Sequence, residues 1–158
     1  MAIFPLAAFA GIGLAADPPK QGTYDFTTCW TRNVTLIEYA PGKVAWSYDE
    51  KGTAVTSPRG GPFDGDEIRC VGARVSIDGK PSGDSGCIAT SADGSKRFTR
   101  LTYDAAGKLQ PQTVGGTGRY DGLAMTGTIE TTKPPPPPQA GTRTVEYCNR
   151  NVGTYTMK

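Results

Sequence analysis

Hydrophobic and polar residues alternate one by one along most of this chain, and no stretch holds a helical period. Tyr24, Phe26, Thr28 and Trp30 alternate with Thr23, Asp25, Thr27 and Cys29, which predicts a strand with one aromatic face. Val44, Trp46 and Tyr48 repeat the pattern after a turn at Pro41-Gly42. Val71, Ala73, Val75 and Ile77 alternate with Cys70, Gly72, Arg74 and Ser76. Further strands are predicted at 34–39, 52–57, 85–91, 97–104, 109–114, 123–131 and 143–157. Turn residues punctuate them at Asp49-Glu50-Lys51-Gly52, Asp78-Gly79, Asp93-Gly94, Ala106-Gly107 and Asp121-Gly122. Short strands at this spacing predict an all-β sandwich or barrel. Gly22-Thr23-Tyr24 and Gly153-Thr154-Tyr155 sit near the two ends, which fits first and last strands that are neighbours.

Three segments break the rhythm. Ser57-Pro58-Arg59-Gly60-Gly61-Pro62 is too rich in Gly and Pro to be a strand. Residues 133–139 carry a proline run that reads as a stiff polyproline connector, crossing one end of a barrel between two strands. Met1 to Ala16 is uncharged and apolar, too short for a membrane span, and ends in small residues before Asp17-Pro18-Pro19-Lys20. That layout predicts a signal peptide at 1–16, its start truncated because no basic region precedes it, followed by a single domain at 17–158. The expected location is the periplasm or the exterior.

The four cysteines support an oxidising compartment, since they lack CxxC spacing and no histidine completes a metal site. In a hairpin centred on Asp78-Gly79, Cys70 falls opposite Cys87. Cys29 and Cys148 remain to join the first strand to the last.

Charge and composition mainly exclude. With 17 basic and 15 acidic residues, the net charge of +2 argues against a nucleic-acid binder and gives no reason to seek anionic membranes. Without histidine, Ser-His-Asp, Cys-His and His-zinc chemistry are impossible. No catalytic constellation, cofactor motif or metal site is evident. Asp64-Gly65-Asp66-Glu67 lacks calcium-loop spacing and reads as a solvated acidic turn.

The most distinctive stretch runs from Gly115-Gly116-Thr117-Gly118-Arg119-Tyr120-Asp121-Gly122 into a strand containing Gly127. Its glycines permit a sharp reversal under which Tyr120 can tuck. It resembles the GGTG-[KR]-[FY]-x-G segment of the allene oxide cyclase-like barrels, which include plant allene oxide cyclases, dirigent proteins and small bacterial barrels. The resemblance covers roughly twenty residues strongly and implies an eight-stranded antiparallel calycin-like barrel with a central cavity. It carries over no catalytic residue, because the matched positions are turn residues.

Candidate binding residues follow from strand parity. Tyr24, Trp30, Trp46 and Tyr48 could line an apolar cavity or pack as core. Glu38 shares parity with Val34 and Leu36, Arg69 with Val71, and Arg100 with Phe98. A buried Glu38–Arg69 or Glu38–Arg100 pair could orient a ligand carboxylate or move a proton. The expected function is binding of an apolar or aromatic small molecule. The alternatives are a cyclase or isomerase, or a non-catalytic protein-interaction module.

Overall fold

The computed structural model describes residues 19–137 and 139–158, so the expected leader lies outside the described residues. Eight strands follow in chain order: β1 (Gln21–Ala40), β2 (Lys43–Thr56), β3 (Glu67–Ile77), β4 (Lys80–Thr90), β5 (Lys96–Tyr103), β6 (Leu109–Gly116), β7 (Ala124–Lys133) and β8 (Gly141–Thr156). They form one antiparallel sheet in the order β6-β5-β4-β3-β2-β1-β8-β7. The sheet curls until β6 and β7 lie side by side, giving a nearly closed barrel. No hydrogen-bond ladder spans that seam. The first and last strands are neighbours, as expected, but the barrel closes elsewhere.

β1 and β2 are each longer than the alternation suggested, because two pairs of expected strands fuse. The expected turn at Asp49-Glu50-Lys51-Gly52 is mid-strand, laddered to Trp30–Asn33 on one side and Ile68–Val71 on the other. Cross-strand partners override turn composition here: Asp49 meets Arg69 outside, and Glu50 meets Arg32 inside.

The hairpin at Asp78-Gly79 forms as its residues dictate. Both have positive φ (51° and 79°), the turn whose twist matches the flanking strands. The register then runs unbroken from Ile77–Lys80 to Glu67–Thr90 and sets Cys70 opposite Cys87. Both disulfides form, Cys70–Cys87 and Cys29–Cys148. Cys70 and Cys87 are buried, whereas Cys29 is exposed on the outer surface. The second bridge links residues 119 apart, so the loop-closure model assigns it roughly 4–5 kcal/mol.

One end of the barrel is packed solid. The Gly- and Pro-rich loop after β2 folds Phe63 inwards as a plug, only 2% exposed. Its ring lies 5.8 Å from Tyr24, 5.7 Å from Tyr120 and 5.4 Å from Tyr155. Tyr120 sits under the Gly118–Tyr120 turn, as its glycines anticipate. A Cβ on Gly116 would lie 2.2 Å from the Tyr120 carbonyl oxygen, so only glycine lets that turn close.

The proline connector takes a different course from the one expected. β7 and β8 are adjacent, with Lys133 level with Cys148, while Gly141 is level with Leu36 of β1. The connector's described residues, 134–137 and 139, therefore continue on the β8 side rather than cross a barrel end. Prolines have no N–H to donate to a ladder. The Pro137 carbonyl instead accepts from Arg143 Nη2 at 2.7 Å.

Candidate functional site

Away from the plug the interior is not filled. A cavity of about 680 Å³ lies between the inward faces of β1, β3, β5 and β8 and the β6–β7 seam. Trp30 and Tyr147 line it on one side, with Leu101, Leu109, Met125 and Ile129 on the other. Outward-facing Gln110 and Glu130, from the two seam strands, also border it, so the cavity reaches solvent along that seam.

Polar groups converge in this space. Arg32 and Glu50 are direct cross-strand partners, and Arg32 Nε donates to Glu50 Oε2 at 2.6 Å. The Tyr147 hydroxyl donates to the same oxygen at 2.5 Å, and Arg32 Nη2 donates to that hydroxyl. The Arg32 guanidinium lies 4.4 Å from the ring centres of both Tyr48 and Tyr147. Arg74 continues the column, 5.0 Å from Tyr48 and 5.1 Å from Tyr103. The inside of the barrel thus carries a layered stack, Tyr147–Arg32–Tyr48–Arg74–Tyr103, drawn from five strands. Gly72 makes room for it, since a Cβ there would lie 2.9 Å from Tyr48 Cζ. Burial, followed by the Glu50 carboxylate, pushes the Tyr147 hydroxyl well above the usual phenol range.

A second polar cluster belongs to the packed end. Asp66 is fully buried and accepts from Arg97 Nε at 3.1 Å and from the Tyr120 hydroxyl at 2.8 Å. Burial, then the Asp66 charge, pushes Tyr120 up to about 12. Asp66 is therefore no solvated acid: the loop that carries Phe63 also tucks it inside. Among the described residues no group of acids forms a metal site.

The sequence candidates divide. Tyr24 and Trp30 are buried and line the cavity. Tyr48 is buried within the stack, and Trp46 is half-buried beside it, level with Arg74. Glu38, Arg69 and Arg100 are exposed, and the pairs proposed for Glu38 do not form. Arg69 binds Asp49 and Arg100 binds Asp84 instead, both on the outer surface. In β3 the aliphatic set Val71, Val75 and Ile77 faces out with Arg69, and Cys70 and Arg74 face in. In β5 Arg97, Thr99 and Leu101 line the cavity, so Arg100 faces out, and Glu38 lies at the bulged end of β1 with its head in solvent. A different signal could have found the missed residues. Arg32 shares parity with Tyr24, Phe26 and Trp30, and Glu50 with Trp46 and Tyr48. Following aromatic rather than aliphatic parity, with the paired Cys70 as anchor in β3, selects Arg32, Glu50 and Arg74 together.

The two formed disulfides are consistent with a non-cytoplasmic protein, and among the described residues no helix is long and apolar enough to cross a membrane. No family model, curated protein or solved structure matches this chain.

Proposed function

We propose that this is an exported protein, periplasmic or secreted, that binds a small molecule with an apolar or aromatic body inside its barrel. The observation that carries this reading is the interior cavity of about 680 Å³, walled by aromatic and aliphatic side chains around a few buried polar groups. That volume and lining are those of small-molecule sites generally. Kinship with the allene oxide cyclase-like barrels, proposed on Gly115–Gly122, supports a cavity role without naming the guest. A cyclase or isomerase reading is weaker. Glu50, the carboxylate lining the cavity's depth, is already engaged by Arg32 and Tyr147 and is poorly placed to exchange a proton with a substrate.

An interaction module is the second reading, favoured by one observation. Val55, Val71, Val75, Ile77 and Ile88 are exposed on the outer face of β2, β3 and β4. Native mass spectrometry of protein isolated from its own source tests the leading reading. A small molecule bound at one per chain supports it. A ligand-free chain that also fails to take up aromatic probes overturns it in favour of the outer face.

A further inference from the structure

Resting on the reading of the barrel as a small-molecule binder, we infer that its guest is an organic acid whose carboxylate docks on Arg74. Arg74 projects inward from β3, only 8% exposed, and lines the cavity. Its Nη1 donates to the Tyr103 hydroxyl at 2.7 Å and its Nη2 to Ser85 Oγ at 3.0 Å, both neutral acceptors. Its Nε is buried and, among the described residues, has no acceptor.

The two other arginines that line the cavity each have a carboxylate, Glu50 for Arg32 and Asp66 for Arg97. Among the described residues Arg74 has none. A buried guanidinium without a counter-ion is costly, and stacking between two tyrosines recovers only part of that cost. The missing group is an anion.

Geometry narrows its kind. The edge of a guanidinium that includes Nε matches a planar carboxylate, which can take two parallel N–H bonds there. The surrounding cavity holds further unmet groups: among the described residues the donors Trp30 Nε1 and Arg97 Nη2 also lack partners, as do the Thr28 hydroxyl and the acceptor Asn149 Oδ1. Lys108 lines the same cavity and adds positive charge, with Glu130 on the β7 side. Half-buried Arg143 faces inward from β8 and is held by the proline connector. Leu101, Met125 and Ile129 supply the apolar wall for the body of the acid.

The test uses the full disulfide-bonded chain and two probes that share a ring system, 2-naphthoate and 2-naphthamide. Calorimetry at neutral pH should find the acid bound at least about tenfold more tightly than the amide. Arg74→Met should erase that gap, and Arg74→Lys should keep part of it. The Arg74 Nε–H resonance should shift on adding naphthoate. Equal affinities, or a gap that survives Arg74→Met, would overturn the acid and leave the binding reading in place. Inorganic phosphate competing as strongly as naphthoate would replace the organic acid with a simple anion. If neither probe binds, the binding reading fails and this inference with it. Should Arg74→Met not fold, the lysine variant and the Nε–H shift decide.

Discussion

Arg97 and Arg74 are two buried guanidiniums on inward faces of the same barrel, and their surroundings are opposite. Arg97 lies at the plugged end, 3.1 Å from fully buried Asp66, with its guanidinium 4.9 Å from the Phe63 ring and 5.4 Å from that of Phe26. Arg74 lies at the open end between two tyrosines, with hydroxyl partners and no carboxylate. One charge is neutralised where it stands, and the other is left waiting. Buried charges demand compensation, so the paired arginine belongs to the architecture, and the unpaired one is where the proposed acid would supply what the protein does not. The plug explains the split. The loop that carries Phe63 also delivers Asp66, and among the described residues no loop brings a carboxylate to Arg74.

The contrast can be broken most severely at Asp66. Asp66→Asn should destabilise the protein by about 3–5 kcal/mol, because it strands the charge of Arg97 inside the packed end. Urea denaturation measures it, and a loss below about 1 kcal/mol would remove the distinction between the arginines. Arg74→Met is the complementary case. It should leave stability within about 1 kcal/mol of the wild type, since the charge removed has no partner to strand. A loss as large as that of Asp66→Asn would make Arg74 structural and empty the site of its argument. The smallest effect is alkaline. The Tyr120 hydroxyl, raised to about 12 by burial and Asp66, contributes stability that is complete below its ordinary value near 10. That contribution is lost as pH rises from about 10 to about 12, because the unfolded chain ionises first. Denaturation midpoints across that window, paired with phenolate absorbance, should show the decline, and Tyr120→Phe should make it shallower, the rest coming from the other buried tyrosines, whose hydroxyls are raised as well.

Much of the fold was legible because its signals are local. The Asp78-Gly79 turn set a register, and that register placed two cysteines face to face. The glycines around Tyr120 announced a tight turn over a tucked ring. The interior was harder to read, because facing depends on which of two alternating sets a strand turns inward. In β3 the aliphatic set looked like core, yet Val71 is 52% exposed and Arg74 is buried. Asp66 was equally opaque. Nothing in Asp64-Gly65-Asp66-Glu67 tells that the third residue meets Arg97, 31 positions away. Pairing across the barrel decides such matters, and short-range pattern is silent about it.

The joint between β6 and β7 has a mechanical consequence. Every other pair of neighbouring strands is laced by backbone bonds, so only here can the staves part without breaking a ladder. The prolines after β7 do not lengthen its ladder with β8, because a backbone stripped of N–H groups has nothing to donate there. The same prolines blunt an edge that would otherwise recruit strands from other chains. A guest could slip through that slit by a modest spreading of two strands, while the sulfur-pinned remainder of the cylinder stays as it is.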